Sequence, residues 1–578
     1  MKVWVILLVV LGLVVAVERE TVIVIKLKQE SREYAEQFAS ARGLRLLSEK
    51  ESAHLPSGVW AFGATSGKRA RSMSPELHQD DQVEWHEIQE PRRRFTRFSA
   101  PRLSGTRAAA SDPLYASQWH LHGNANSLKV EPAWAAGVTG KGVVVAIVDD
   151  GVQVRHPDLD VHLPLSHDFN NGRGTDPSPY TTDGHGTSAS GVCCARRNNG
   201  QCGSGVAPGA TLVGLRLIAE PTTDLQESQA LSWSGAEIDI YSNSWGPMDD
   251  ANTLAGPGRL TQMAFARNVL VGRHGKGSIY VWAGGNGRDN QDNCNYDGYA
   301  NSIYTIAVGA IDHAGLQSWY SESCSALFVV GPSSGSGVGI TTTDLTGRNG
   351  YAPGQCCNTF GGTSSAAPAV SGAIALMLQQ RPDLTWRDVQ HVLAKSSILP
   401  PLEDQLVVAN ARGYKHSEHF GFGRIDASRM LDAVMAHTLV PVQKAVTLTQ
   451  LGAKEPHSGN IRGDEGALMH FTSDTPLSFI EHIQVILSVV HPNRGQLQVT
   501  LKSAENANAD SHLFEPHTGD RHGNIPTSHP FMTVRHWGEK LEGDARKVAF
   551  TLVVQDTIRN TYHGRGHLES AQLIVYGY

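Results

Sequence analysis

The sequence predicts an α/β protein flanked by two smaller folded parts, an α+β segment before it and an antiparallel β-sandwich after it. Three observations carry this. From about residue 112 to 440 strands alternate with helices, and in GKGVVVAIVDDG the uninterrupted apolar run Val143–Val148 suits a strand buried on both faces of a parallel sheet. Before it, residues 18–97 hold an alternating strand, TVIVIKL, and a helical stretch, SREYAEQFASARG. After Pro441, IQVILSVVHP, GQLQVTLKS, KVAFTLVVQD and AQLIVYGY are short alternating strands separated by turn residues.

The chain has 578 residues, of which 40% are hydrophobic and 18% charged. That is a globular composition, long enough for two to four domains. Residues 1–17, MKVWVILLVVLGLVVAV, join one lysine to an apolar stretch, and charge begins at Glu18. They read as a secretory signal peptide, with an uncleaved anchor as the alternative. No later run approaches the roughly 20 apolar residues of a membrane helix, so no stable span is expected and the location is a secretory lumen or the exterior.

Residues 18–97 lead into EPRRRFTRFSAPRLSG, whose Arg, Pro, Ser and Gly read as an exposed linker, and they carry a second basic stretch, SGKRARSMSP. The net charge is −7; the first 97 residues carry two net positive charges and residues 98–578 nine net negative ones. An acidic body suits a basic ligand and argues against nucleic acid. Within the body, GSIYVWAGGNG repeats the strand pattern, and GGTSSAAPAVSGAIALMLQQ reads as a buried helix stopped near Pro382. The seven cysteines permit up to three disulfides with one left over, and their spacing matches no zinc site.

The chemistry begins at TTDGHGTSAS, where His185 stands between two glycines. Alone it could be a loop histidine. Asp149 closes the apolar run VVVAIV, at the strand end where ligands gather in α/β sheets. Ser364 opens the small-residue helix, where backbone N–H groups can stabilise an oxyanion. DDG, GHGT and GTSSAAP are each weak, but together they give the order Asp…His…Ser of one class of nucleophilic triad.

With these motifs the sequence resembles the subtilisin-like serine proteases, and more closely their kexin and furin branch of proprotein convertases. YSNSWGPMDD, CNYDGYANSIYT, WYSESC, LTWRDVQHVLAKSS and HFGFGRIDA extend the resemblance. It implies a signal peptide (1–17), an inhibitory, chaperone-like α+β propeptide (18–97), a subtilisin-like parallel-sheet catalytic domain (98–440) and a P domain β-sandwich (441–578). In that scheme His185 is the base, Ser364 the nucleophile, Asp149 the orienting acid and Asn286 the side-chain oxyanion donor. The implied function is a calcium-dependent endopeptidase, monomeric, that matures exported proproteins on the carboxyl side of arginine at paired or multiple basic sites.

The resemblance also assigns the specificity acids. Asp249 and Asp297 would line the pocket for the residue before the cut, Asp150 and Asp183 would face the second residue back, and Glu227 the fourth. Ala255 and Met248 stand where many convertases carry further acids, which implies a relaxed demand at distant positions. Self-cleavage is expected after Arg97 and then after Arg71, with a dibasic cut after Arg94 as an alternative. One Ca2+ site would use Asp112, Asp158 and Asn199 with carbonyls near Arg196, Gln201 and Gly203; another would use Asp249, Asp292 and Glu322. The implied disulfides are Cys294–Cys324 and Cys202–Cys356, leaving Cys193, Cys194 and Cys357 unassigned. Two other classes stay open: a broad degradative subtilisin, which the acids at Asp249 and Asp297 disfavour, and a non-catalytic binding or chaperone module, which an active-site titration would identify.

Overall fold

Strand Val144–Asp149 is buried along nearly its whole length, and it sits inside a seven-stranded sheet rather than at an edge. The order is Val329–Pro332, Thr305–Ile311, Ile279–Ala283, Ile240–Asn243, Val144–Asp149, Thr211–Arg216, His167–Asp168. Every neighbouring pair is parallel. From Val144–Asp149 the chain goes first to one side, where His167–Asp168 takes the edge and Thr211–Arg216 fills the place between, and then builds outwards on the other through 240–332. The crevice beyond Asp149 and Asn243 is therefore the switch point of the sheet, where such folds bind ligands.

This is a computed structural model, and it describes residues 20–48, 55–99, 112–180, 182–400, 407–451, 460–461, 466–506, 509–517, 519–557 and 566–578. The expected signal peptide lies outside the described residues. The chain divides into two units, Met1–Pro91 and Arg92–Tyr578.

In the first unit an antiparallel sheet runs in the order Arg45–Leu46, Val59–Ala64, Thr21–Leu27, Val83–Ile88. Helix Arg32–Arg42 is capped by Ser31 and ends on Gly43 in the left-handed region. A second helix, Gly67–Gln79, contains the basic stretch KRAR. Ile23, Ile25, Phe38, Phe62 and Leu77 meet in one apolar core.

In the second unit helix Thr363–Gln380 packs on five strands of the parallel sheet and against helix His185–Cys194. Its small residues allow nearly complete burial. Pro368 lies inside it and has no N–H to offer the Ser364 carbonyl four residues earlier. That carbonyl instead accepts from Ser244 Oγ at 3.2 Å. The helix ends at Gln380, two residues before Pro382, as the sequence suggests.

The C-terminal part is an antiparallel sandwich. One sheet orders Lys444–Thr447, Gly566–Gly577, Ile480–Val490 and Phe531–Thr533, with Asn460–Ile461 also on Gly566–Gly577. The other orders Thr449–Gln450, Ala467–Thr472, Phe550–Asp556, Leu497–Ser503 and Ser511–Phe514. Alternate residues such as Ile483, Val485, Leu487, Leu552 and Val554 fill the space between them. The sandwich is tied to the α/β part at Glu481, which is fully buried and binds Arg387 Nε at 2.9 Å and His391 Nε2 at 2.8 Å. Trp537 of the sandwich side inserts beside Phe328 and Phe422.

Disulfides join Cys202–Cys356 and Cys294–Cys324, the two pairs implied by the resemblance; Cys193, Cys194 and Cys357 are free and buried. Among the described residues no helix is long and apolar enough to cross a membrane.

One sequence expectation is corrected here. The arginine-rich stretch is exposed only in part: Arg92, Arg93 and Thr96 face solvent, but Arg94 and Arg97 are 6% and 1% exposed, and residues 100–105 lie outside the described residues. Buried guanidinium groups need paired charge, and both find it in the acidic crevice.

Candidate active site

Residues 92–97 enter the crevice as an added antiparallel strand. Arg92 bridges Thr222, and Phe95–Thr96 pairs with Trp245–Gly246. Arg97 N then donates to the Ser244 carbonyl at 3.1 Å. Main-chain pairing of this kind holds any sequence in extended form and leaves side chains to specify it.

The Arg97 carbonyl oxygen accepts from Ser364 N at 3.1 Å, at the opening of helix Thr363–Gln380. The preceding residue, Gly362, has φ +75°, and a Cβ there would come within 2.0 Å of that oxygen. Only glycine fits both the backbone and the approach. Asn286 Oδ1 accepts from Thr363 N at 2.9 Å and from Thr363 Oγ1 at 3.0 Å. These bonds turn its Nδ2 towards the same space, where it has no partner among the described residues.

Asp149 Oδ1 lies 2.8 Å from His185 Nδ1, and both side chains are buried. Burial opposes protonation of the imidazole, but the charge and hydrogen bond of Asp149 outweigh it and hold the pKa above the ordinary histidine value. His185 opens helix His185–Cys194, every residue of which is buried. Its Nε2 has no partner among the described residues, while Ser364 Oγ donates to the Ser244 carbonyl at 3.2 Å.

The Arg97 guanidinium reaches Asp297, the Ala283 carbonyl and, at 3.4 Å, Asp249 Oδ1. Gly246 forms one wall, since a Cβ there would lie 2.2 Å from Nη2 of Arg97. Asp297 is raised above the ordinary aspartate value by burial, which Arg97 partly offsets. Arg94 Nε donates to Glu227 Oε1 at 2.7 Å and its Nη2 to Tyr299 Oη at 2.7 Å, with its guanidinium carbon 5.2 Å from the Tyr299 ring centre. Thr222 Oγ1 also donates to Glu227, at 3.2 Å.

Asp150 and Asp183 are arranged differently from the other acids that the resemblance assigns to specificity. Asp150 accepts from His185 N at 3.1 Å and Gly186 N at 2.8 Å, so its carboxylate fixes the start of the histidine helix. Burial and the neighbouring Asp149 charge push its carboxyl up to about 7. Asp183 pairs with Arg216 at 3.2 Å. Neither is hydrogen-bonded to Thr96, whose side chain is exposed. Ala255 pairs with Asp297 through the backbone, and Met248 is 44% exposed.

Both candidate cation sites offer oxygen donors. One carboxylate oxygen from each of Asp249, Asp292 and Glu322 lies within 4.8 Å of the others. Burial and mutual repulsion raise Asp292 to about 7 and lift Glu322 well above the usual range. In the other, Asp112 accepts from Asn198 N at 2.7 Å and Asn199 N at 2.9 Å, and Asn199 Nδ2 donates to Asp158 Oδ1 at 2.8 Å. Asp158 Oδ2 is buried with no partner among the described residues, and burial raises this carboxyl to about 7. Crowded carboxylates in the first site, and the unpartnered Asp158 Oδ2 in the second, fit a hard divalent cation such as Ca2+.

Sequence reasoning missed Ser244, Thr363, Tyr299 and Thr222. Ser244 and Tyr299 lie in the quoted stretches YSNSWGPMDD and CNYDGYANSIYT, but their contacts come from residues far away in sequence.

Residues 140–423 match the model of the subtilase family, and residues 480–575 match that of the proprotein convertase P-domain. Residues 140–423 belong to the subtilase family. Proprotein convertase subtilisin/kexin type 6 of Homo sapiens is 38% identical over 525 residues, covering 87% of this chain and 52% of that protein. Furin-like protease 1, isoforms 1/1-X/2, of Drosophila melanogaster is 36% identical over 535 residues, covering 88% of this chain and 40% of that one. The chain thus spans about half the length, or less, of these curated relatives. A serine protease of Aeromonas sobria shares the subtilase fold with a TM-score of 0.71 at 24% identity, over 83% of this chain and 98% of that one.

Proposed function

We propose that this protein is a calcium-dependent serine endopeptidase of the secretory lumen or exterior. It cuts exported precursors on the carboxyl side of arginine and matures itself after Arg97. The observation that carries the reading is Arg97 itself, with its guanidinium between Asp249 and Asp297 and its carbonyl on Ser364 N.

His185 takes the Ser364 hydroxyl proton as Oγ adds to the carbonyl of the residue in that pocket. Ser364 N and Asn286 Nδ2 stabilise the oxyanion, and Asp149 holds the imidazole and its charged form. The C–N bond then breaks as His185 gives that proton to the departing nitrogen. Water adds to the resulting ester, leaving a proton on His185 that returns to Ser364 Oγ as the carboxyl product departs.

Residues 18–97 act as an inhibitory propeptide on residues 98–440, because the strand at 92–97 fills the position a substrate would take. Residues 441–578 form a P domain that stabilises the catalytic domain through Glu481. Asp249, Asp292 and Glu322 would hold one Ca2+, and Asp112, Asp158 and Asn199 another. The first ion would offset the carboxylate charge behind the arginine pocket. Asp150 acts by positioning the histidine helix, and Asp183 by its pairing with Arg216; any preference for a basic second residue would be long-range.

The test uses wild type and Ser364→Ala on peptides ending Arg-Arg, Lys-Arg, Thr-Arg and Ala-Leu before the cut, with calcium or chelator. Calcium-dependent cleavage after arginine by wild type alone supports the reading. Preferred cleavage after leucine, or none from processed wild type, overturns it.

A further inference from the structure

The residue that follows Arg97 is also held. The Phe98 ring stacks on Tyr351 with centres 4.5 Å apart and planes 19° apart, and on Phe360 at 5.7 Å and 25°. Phe360 in turn meets the His185 ring edge-on at 5.4 Å, so this aromatic slot adjoins the base on the leaving-group side. Beyond it the Ser99 carbonyl accepts from Ser334 Oγ at 3.2 Å, which fixes the backbone leading out of the slot.

Resting on the function proposed above, we infer that Tyr351 and Phe360 form a specificity subsite selecting an aromatic residue immediately after the cut. Phe360 is buried in the main core, whereas Tyr351 is 39% exposed and closes the outer side. The slot is thus a fixed wall with a half-open lid that a flat ring fills and a small polar side chain does not. Stacked aromatic pairs contribute beyond the area they bury. The chain's two arginine-rich stretches differ on this point: Arg97 is followed by Phe98, but Arg71 is followed by Ser72, inside helix Gly67–Gln79. The subsite therefore favours the Arg97–Phe98 bond over the Arg71–Ser72 bond.

The experiment compares processed enzyme, expressed as the full chain, on fluorogenic peptides Arg-Phe-Thr-Arg-X-Ser with X as Phe, Leu or Ser. The expected result is a kcat/KM for Phe above that for Ser by roughly 2- to 12-fold from stacking alone, with Leu between them. Tyr351→Ala lowers the Phe-to-Ser ratio, leaving only what stacking on Phe360 supplies, and Tyr351→Phe retains it. The ratio is internal to each variant, so a general loss of fold or rate does not move it, and the wild-type comparison decides alone if Tyr351→Ala does not fold. Equal or faster cleavage of the Ser peptide by wild type, or an unchanged ratio in Tyr351→Ala, overturns the subsite while leaving arginine-directed cleavage standing. Failure to cut any of the three peptides removes both.

Discussion

Arg97 and Ser364 meet through the backbone: Ser364 N donates to the Arg97 carbonyl at 3.1 Å, while Ser364 Oγ turns to the Ser244 carbonyl. One of the two proposed oxyanion donors, Ser364 N, is thus engaged in a state in which the hydroxyl is not on His185. Preorganised donors need no rearrangement when charge develops on the oxygen they face.

Asn286 has its Oδ1 fixed by Thr363, and its Nδ2, turned towards that oxygen, has no partner among the described residues. Asn286→Ala is expected to lower kcat by about 10²- to 10³-fold with little change in KM. Steady-state kinetics on an arginine peptide check this, and a loss confined to KM contradicts it.

Asp149 holds the His185 pKa above its ordinary value. The base must be neutral, so kcat/KM rises with pH through an apparent pKa above 6.5. In Asp149→Asn the imidazole loses its largest stabilising charge and burial is opposed by Asp150 only, so that limb moves to lower pH and the rate falls by about 10⁴-fold. A limb that stays in place denies Asp149 this role.

Glu227 faces Arg94 with both groups nearly free of solvent. Truncating one partner of such a pair costs about 2–5 kcal/mol. Glu227→Ala should therefore reduce kcat/KM at least about 30-fold for peptides with arginine in the fourth place, and far less for peptides with alanine there. This pairing predicts a firmer demand at that position than the loss of an acid at Ala255 suggests.

Glu481 ties the sandwich to helix Trp386–Ser396. Burial alone would raise its carboxyl, but His391 and Arg387 bring it down from 4.5 to about 2. The folded value lies below the unfolded one, so the contribution, about 3 kcal/mol, is complete above pH ~4.5 and fades as pH falls towards 2. Denaturant melts of wild type and Glu481→Gln should differ widely at pH 6 and converge near pH 2.5; a constant gap points to a cause other than this ionisation.

Much of the fold was legible because the deciding signals are local. The run VVVAIV needs two apolar neighbours, and Asp149, His185 and Ser364 each sit at a strand end or helix start that the adjacent residues define. The specificity acids came only through resemblance, since one surface aspartate looks like another until a sheet is folded. The burial of Arg94 and Arg97 was not legible, because an arginine-rich stretch reads as solvated unless its distant carboxylates are known. Asp150 shows the same limit from the other side: its sequence position beside Asp149 says nothing of the two N–H groups of residues 185 and 186 that occupy it.

The proposed self-cleavage after Arg97 is read most directly from the ends of the secreted chain. Wild type and Ser364→Ala would be secreted from the same host, and their amino termini and masses determined. The account predicts a wild-type chain beginning at Phe98 and a Ser364→Ala chain still joined to residues 18–97. Processing of Ser364→Ala at the same bond, or a wild-type chain that keeps Arg97–Phe98 intact, would contradict it.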